Sequence, residues 1–160
     1  GEDVLYSGTV AAAMEGLVLG VPSIALSFAG GDKAGGSADA ALVEQQLEAV
    51  TDLVRHIVTL EKLPRDTLFN VNFPPVAGSA IKGIRLTRLG RRVFSDAITR
   101  MKDPWGQEVF WIGGGTISWS GELDSDYRAI AEGYVSVTPL HLDLTHDVML
   151  DAAESWWRTP

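Results

Sequence analysis

Near the start of the chain, the residue types and spacing of Ser7, Gly8 and Thr9 are suited to holding an anion. They directly precede an apolar segment, residues 10–19, that is predicted to be a helix. A serine in this position usually accepts a hydrogen bond from the first helical turn, so its commonest role is a cap. The same end of a helix also presents unpaired N–H groups and partial positive charge, which bind phosphate. Both interpretations of Ser7 stay open on the local pattern.

A second segment, GGDKAGGS at residues 30–37, has two glycines spaced as in a phosphate-binding loop, Gly30 and Gly35. Such a loop needs a lysine after its second glycine, because the ammonium group must reach the phosphates. Gly36 occupies that position. The segment is therefore interpreted as a flexible connector.

A third segment, HLDLTHD at residues 141–147, gathers His141, Asp143, His146 and Asp147, whose side chains are of types that bind zinc. His141 and Asp143 share one face of a predicted strand, whereas the other two belong to the start of the following helix. The sequence therefore does not favour a metal site here. It also contains no Gly-x-Ser-x-Gly elbow and no cysteine nucleophile, which argues against the usual covalent hydrolases.

Composition limits the class of protein. The chain has 160 residues, 46% of them hydrophobic, which is enough for one domain with a sizeable core. Its net charge of -8 argues against general nucleic-acid binding, because phosphate backbones require clustered cations. It has no cysteine, which suits a reducing cytoplasm, and no apolar run of membrane-spanning length. We expect a soluble, cytoplasmic protein, with the reservation that a targeting signal would precede Gly1.

The first ninety residues alternate between helical and strand patterns. The predicted elements are a helix at 8–19 with Ser7 as N-cap and Gly20 as C-cap, a strand at 22–28, a helix from an N-cap at Ser37 to about Leu63, and a strand at 67–73. Strands separated by a helix-length crossover are typical of a parallel sheet. The pattern predicts an α/β fold.

The middle of the chain is predicted to be a strand, 83–89, followed by a long hairpin at 91–113 with DPWG at its turn. Residues 82–102 carry seven basic side chains and one acidic one, a local balance of +6. The hairpin could bind a polyanion, or it could pair with another subunit. We favour assembly, because a long two-stranded ribbon is marginally stable alone and its faces mix apolar and charged residues.

The C-terminal part is predicted to begin with an irregular loop. The predicted elements are a loop at 113–123, a short helix opened by Ser125 and Asp126 and ended by Gly133, a strand at 134–144 with an open hydrogen-bonding position at Pro139, and a helix at 146–157 capped by Thr145. The last helix has exposed-type apolar residues, including Trp156 and Trp157, which suits docking on a neighbouring subunit.

Four segments together resemble the SurE family of survival-protein nucleotidases. They are DVLYSGTVAAAMEG, LFNVNFP, GIRLTRLGRR with the DPWG turn after it, and GYVSVTPLHLDLT. They occur in the family's order and span nearly the whole chain, but they correspond only to the C-terminal part of the family pattern. The family's divalent-metal ligands are an acidic pair, a serine in a loop and an asparagine in a glycine-rich loop. The resemblance implies that all of them precede Gly1.

The resemblance also implies a fold and an activity. The fold is a Rossmann-like parallel sheet core, incomplete because its N-terminal part is absent, with a projecting β-hairpin and a C-terminal helix. The activity is hydrolysis of nucleoside 5'- and 3'-monophosphates with Mg²⁺ or Mn²⁺ as cofactor. Within this chain, the resemblance implies that Ser7, Gly8 and Thr9 bind the substrate phosphate, through the Ser7 hydroxyl and the exposed amides of residues 8–10. No catalytic residue is assigned in the chain, and Glu15 stays unassigned.

The resemblance finally implies how the chain is divided and assembled. We expect part of the nucleotidase core at residues 1–90, an oligomerisation hairpin and loop at 91–122, and a return strand with an exchanged helix at 123–160. The expected assembly is a homodimer or homotetramer formed through the 91–113 hairpin and the C-terminal helix, with no membrane or sequence-specific nucleic-acid partner. The alternative hypothesis is a non-catalytic module that oligomerises or binds nucleotides.

Overall fold

A computed structural model describes residues 1–30, 40–61, 63–94, 98–112, 117–120 and 123–157. A short 3-10 helix, Glu2–Tyr6, leads into the first α-helix. The helices are α1 Gly8–Val18, α2 Ala40–Val58, α3 Asp126–Ala131 and α4 Asp147–Trp157. The strands are β1 Ser23–Phe28, β2 Thr67–Phe73, β3 Ile84–Leu86, β4 Arg91–Phe94, β5 Ile98–Lys102, β6 Glu108–Ile112, β7 Ile117–Ser120 and β8 Val135–His141.

Four strands form the central sheet, in the order β1-β2-β8-β3. Strands β1 and β2 are parallel, from Ser23 opposite Leu68 to Phe28 opposite Phe73, and α2 lies between them in the chain. The predicted parallel strand-helix-strand unit is therefore confirmed. Strand β8 runs antiparallel to β2 and parallel to β3, so the sheet is mixed. The α/β class is confirmed as well.

The core has two apolar clusters, one on each face of the sheet. Alternate residues of β2 separate them: Phe69, Val71 and Phe73 pack with Leu53 and Ile57 of α2. Leu68, which precedes these residues in the strand and points to the other face, packs with Val10, Ala13 and Leu17 of α1. Because successive side chains of a strand point to opposite faces, α1 and α2 cover opposite faces of the sheet. This three-layer arrangement is consistent with the Rossmann-like core that the family resemblance implies.

Helix α1 ends through glycine at the predicted place. Leu19 is the C-cap, and Gly20 follows it with a φ of 80°. The Gly20 amide donates to the Leu17 carbonyl at 2.9 Å and the Val21 amide to the Gly16 carbonyl at 2.9 Å. This pair of bonds is a Schellman motif, whose left-handed residue favours glycine. Gly20 therefore terminates the helix, one position beyond the C-cap role predicted for it.

Helix α2 differs from its prediction at the C-terminal end. The predicted N-cap, Ser37, lies outside the described residues, and the helix ends at Val58 instead of near Leu63. The Thr59 amide donates to the His56 carbonyl at 3.2 Å, and the Leu60 amide to the Ile57 carbonyl at 3.2 Å. These bonds span three residues, so the last turn tightens and the helix stops.

Two antiparallel ribbons, made of the four strands β4 to β7, form a part of the protein that we call the arm. Strand β4 pairs with β7, and β5 pairs with β6 around the turn at residues 103–106. The Asp103 carboxylate accepts from the amides of Trp105 at 2.9 Å and Gln107 at 2.8 Å, and Gly106 has a φ of 83°. The predicted hairpin is confirmed for β5 and β6, whereas β4, which also lies within the predicted 91–113, pairs with β7 beyond it. The prediction of a loop at 113–123 was wrong for Ile117–Ser120, because β4 supplies hydrogen-bonding partners that the local glycine-rich sequence does not reveal.

The cap of α4 also differs from the prediction. The Met149 amide donates to Nδ1 of His146 at 3.1 Å, so His146 and not Thr145 caps the helix. Thr145 instead interacts with Asp143, whose carboxylate accepts from the Thr145 amide at 2.8 Å. Hydrogen bonds from the Thr145 hydroxyl and amide lower the pKa of Asp143 below its usual value. Asp143 and Thr145 therefore form a hydrogen-bonded turn before α4 begins.

The predicted C-terminal strand is confirmed over its central part, Val135–His141, and α3 begins after Ser125 and ends before Gly133, which has a φ of 86°. The pairing of β8 with β3 ends at Val137. Pro139 lies beyond it, so the missing N–H of Pro139 removes no hydrogen bond between these two strands. Among the helices described, none is long and apolar enough to cross a membrane.

Candidate anion-binding site

Ser7 stands immediately before α1 in an extended conformation, with φ -83° and ψ 116°. Its Oγ accepts a hydrogen bond from the Val10 amide at 3.2 Å, and its carbonyl accepts from the Ala11 amide at 2.9 Å. The cap interpretation is therefore confirmed. Capping uses the Ser7 oxygen as an acceptor, and a hydroxyl also has one hydrogen to donate. The two interpretations of Ser7 are thus chemically compatible.

The first turn leaves fewer amides for an anion than the sequence predicts. The Val10 amide is occupied by Ser7 Oγ, and Val10 is only 2% exposed. The prediction that this amide is exposed was wrong, because Val10 is buried and the Ser7 hydroxyl oxygen accepts its N–H. The amides of Gly8 and Thr9 precede the first bond of the helix, and both residues are exposed. These two amides form the donor pair at the helix end.

The backbone at Gly8 faces open space. A Cβ atom added at Gly8 would have no protein atom within 4 Å, apart from its own chain neighbours and helix backbone. Glycine is therefore not required there by protein packing. An exposed helix start without a side chain in front of it allows an anion to approach the amides closely.

The segment before Ser7 is fixed by a series of hydrogen bonds. The Ser7 amide donates to the Val4 carbonyl at 3.2 Å, and the Val4 amide to the Gly1 carbonyl at 3.1 Å. The terminal ammonium of Gly1 contacts the carboxylate of Asp126 at the start of α3. The Glu2 amide donates to the Gly90 carbonyl at 3.0 Å. The candidate site is therefore attached to the β3–β4 connection and to α3.

Asp126 is the residue of this site that the sequence analysis missed. Its side chain is buried, and its Oδ1 accepts from the Gly90 amide at 2.9 Å and from the Tyr127 amide at 2.7 Å. In the sequence it looks like an ordinary acidic residue in the first turn of a helix. Burial against Gly90 and Gly1 depends on segments distant in the chain, so no local signal reveals it.

Other candidates lie away from Ser7 or form no site. A cavity of about 630 Å³ lies at the opposite end of α1, lined by residues that include Leu17, Gly20 and Phe69. Glu15 is exposed and lies two helical turns from Ser7. In the part of the chain that the structure describes, no three His, Cys, Asp or Glu side chains converge to hold a metal ion. The His141 to Asp147 segment does not form such a group.

The fold defines a class of protein: an α/β protein with helices on both faces of its sheet, one of which begins after a serine cap at Ser7. The chain belongs to the SurE family. The family model described as "Survival protein SurE" matches residues 1–96. The resemblance found in the sequence is thereby confirmed.

Similar proteins carry a common name. The chain is 62% identical over 160 residues to "5'-nucleotidase SurE" of Gemmatimonas aurantiaca, covering 100% of the chain and 62% of the relative. It is 42% identical over 146 residues to the protein of that name from Aquifex aeolicus, covering 91% of the chain and 55% of the relative. The chain therefore spans less than two thirds of the length of these relatives.

A solved structure, "Crystal Structure of Sure Protein from Aquifex aeolicus", matches with a TM-score of 0.77 and 38% identity. The match covers 98% of this chain and 60% of that one. The similarity therefore extends over nearly all the elements described above.

Proposed function

We propose that this chain is the phosphate-holding and assembly part of a phosphatase that hydrolyses nucleoside 5'- and 3'-monophosphates. The observation that carries the proposal is the start of α1, where Ser7 is a cap, residues Gly8 and Thr9 are exposed, and no described residue outside the local backbone would lie within 4 Å of a Cβ atom at Gly8. The names of the relatives support the choice of substrate class.

In this proposal the helix start binds the phosphate by three donors. The Ser7 hydroxyl donates its hydrogen to one phosphate oxygen, while its oxygen keeps the Val10 amide. The amides of Gly8 and Thr9 donate to the same phosphate, and the helix dipole adds partial positive charge. Donors held in place before the reaction stabilise the charge that develops on the phosphoryl oxygens.

The same proposal includes a divalent ion, Mg²⁺ or Mn²⁺, as cofactor. The described residues alone form no group of three His, Cys, Asp or Glu side chains that could hold it, and the family resemblance implies that its ligands precede Gly1. Such an ion, when bound, polarises a phosphoryl group. We also propose that the protein works in the cytoplasm, because a chain without cysteine needs no oxidising compartment.

Hydrolysis by a longer protein tests the proposal. The 160-residue chain is expected to release no phosphate from a nucleoside monophosphate with Mg²⁺ or Mn²⁺, because it lacks a cluster of oxygen ligands among its described residues. A chimera carrying the additional N-terminal segment of the Gemmatimonas relative before Gly1 is expected to release phosphate only when metal is added. The measurement is phosphate release with and without a chelator.

Two outcomes of that experiment would contradict the proposal. Metal-stimulated hydrolysis by the 160-residue chain, abolished by Ser7→Ala, would show that the ligands lie within it. A folded chimera that hydrolyses no nucleoside monophosphate would remove the proposed activity.

We further propose that the protein forms a homodimer or homotetramer through the arm and α4. Both carry exposed apolar side chains, and the outer edge of β1 has no partner strand among the described residues. The exposed side chains are Ile98, Met101, Trp105, Phe110 and Trp111 on the arm and Val148, Leu150, Trp156 and Trp157 on α4.

The chain is accordingly expected to associate at micromolar concentration. Sedimentation velocity should show species larger than the 17.2 kDa chain. The variant Phe110→Glu is expected to reduce association, because it places a charge on the apolar surface of the arm. A stable monomer at every concentration tested would contradict the proposed assembly.

A further inference from the structure

We propose that Asp126 is a positioning residue for the phosphate-binding helix start, acting through the backbone of the segment that precedes Ser7. This inference rests on the proposed function of Ser7. It assigns a role to a carboxylate that lies on another helix and far from Ser7 in the sequence.

The carboxylate of Asp126 collects main-chain nitrogens from three places. Its Oδ1 accepts from the amides of Gly90 and Tyr127, at 2.9 and 2.7 Å, and its Oδ2 contacts the terminal ammonium of Gly1. The Gly90 carbonyl in turn accepts from the Glu2 amide at 3.0 Å, so the carboxylate is also linked to the Ser7 segment without the terminal ammonium. The side chain is buried, at 3% exposure for the residue. A buried carboxylate is costly without such partners, so these bonds hold one arrangement of the three segments.

A continuous series of hydrogen bonds runs from this carboxylate to the cap. Gly1 accepts from Val4 at 3.1 Å, Val4 accepts from Ser7 at 3.2 Å, and Ser7 Oγ accepts from Val10 at 3.2 Å. The Gly1 and Val4 carbonyls are each three residues before their donors, as in a 3-10 turn, and the last acceptor is the Ser7 hydroxyl oxygen. Movement of Gly1 therefore changes where Ser7 enters α1.

The main chain of Asp126 is hydrogen-bonded to the segment that follows β3. The Asp126 amide donates to the Arg88 carbonyl at 2.8 Å, and the Arg88 amide to the Asp124 carbonyl at 3.0 Å. Arg88 follows β3, so Asp126 is held at the end of that strand. Two sets of contacts therefore hold Ser7 in place relative to the central sheet. One is the packing of α1, and the other is the series of hydrogen bonds through Asp126.

Because Gly90 has no side chain, it leaves room for the Asp126 carboxylate. A Cβ atom at Gly90 would lie 3.1 Å from Asp126 Oδ1 and 3.4 Å from the Ser125 Cβ. The change Gly90→Ala therefore crowds the carboxylate without removing its charge. It supplies a second way to disturb the same contact.

Amide hydrogen exchange on the 160-residue chain tests the positioning role directly. In Asp126→Asn the new NH₂ group cannot accept, so one main-chain nitrogen loses its partner. Exchange at Ser7 and Val10 is expected to become roughly ten- to hundred-fold faster, because a hydrogen bond to a charged group is lost. The amide of Val71 in β2 is expected to stay protected. Asp124→Asn, which removes an exposed carboxylate paired with Arg88, is the matched control and should change neither.

The same variants in the chimera test the consequence for catalysis. Asp126→Asn is expected to lower kcat by roughly tenfold or more and to change KM less, because misplaced donors lose most at the transition state. If the unmodified chimera is inactive, the proposed function fails, while the exchange result on the shorter chain still decides whether Asp126 holds the Ser7 segment.

Three outcomes would overturn the positioning role. The first is unchanged exchange at Ser7 and Val10 in folded Asp126→Asn. The second is equal acceleration at Val71, which would show a general loss of stability. The third is faster exchange at Ser7 with unchanged kcat in an active chimera. If Asp126→Asn does not fold, Gly90→Ala is judged by the same three outcomes.

Discussion

Replacing Ser7 by alanine in the active chimera is expected to lower turnover by roughly ten- to a thousand-fold, comparable to the loss of one preorganised donor. The structure places its Oγ at the start of α1, where residues Gly8 and Thr9 are also exposed. Metal affinity and the folded state should change little. The measurement is kcat and KM for a nucleoside monophosphate, with a parallel melting curve.

Loss of the cap must be separated from loss of the donor, because Ser7→Ala also removes the bond from the Val10 amide. Glycine at an N-cap costs only a few tenths of a kcal/mol, so Ser7→Gly removes the hydroxyl with little effect on the helix. Ser7→Thr keeps a hydroxyl and should retain more activity. Full turnover in Ser7→Gly would leave Ser7 as a cap only.

Replacing Phe73 by alanine is expected to reduce the free energy of unfolding by about 3–5 kcal/mol. Phe73 has 0% exposure at the end of β2, and its ring stacks on Phe28 with centroids 5.2 Å apart. Removing it leaves a cavity between the sheet and α2, which the surrounding core cannot fully close. Urea unfolding followed by circular dichroism provides the measurement.

Phe110→Ala is the matched control, because Phe110 is 61% exposed on the arm. Its effect on unfolding at low protein concentration is expected to stay within about 0.5 kcal/mol. Any larger effect of Phe110→Ala should depend on protein concentration, since it would arise from association. Equal destabilisation by both variants at low concentration would contradict the placement of Phe73 in the core.

Local sequence was sufficient for elements whose signals lie within a few residues. The start of α1 follows from Ser7 and its end from Gly20, because a cap and a left-handed glycine act within one helical turn. Strand β2 has the bounds predicted for it, since its alternating pattern stops at a Pro-Pro pair. The α/β class followed from these elements, and the SurE family from the four segments that resemble it.

The family resemblance also fixed expectations that local patterns could not supply, among them the phosphate role of Ser7, Gly8 and Thr9 and the division at residues 90 and 122. Those two expectations stay predictions, and the variants at Ser7 address the first. The site itself was predicted only in part, because the Val10 amide proved to be occupied by the cap.

Tertiary structure alone decided features that need a distant partner. Strand β7 forms in a glycine- and serine-rich segment because β4 pairs with it. Strand β8 pairs with β2, which is distant in the chain, and that pairing sets its antiparallel direction. Asp126 becomes a buried carboxylate because Gly90, 36 positions before it, and Gly1, 125 positions before it, surround its oxygens. Capping and periodicity are properties of a short segment, whereas burial and strand pairing depend on which segments meet, so the sequence around Asp126 could not indicate its contact with the Ser7 segment.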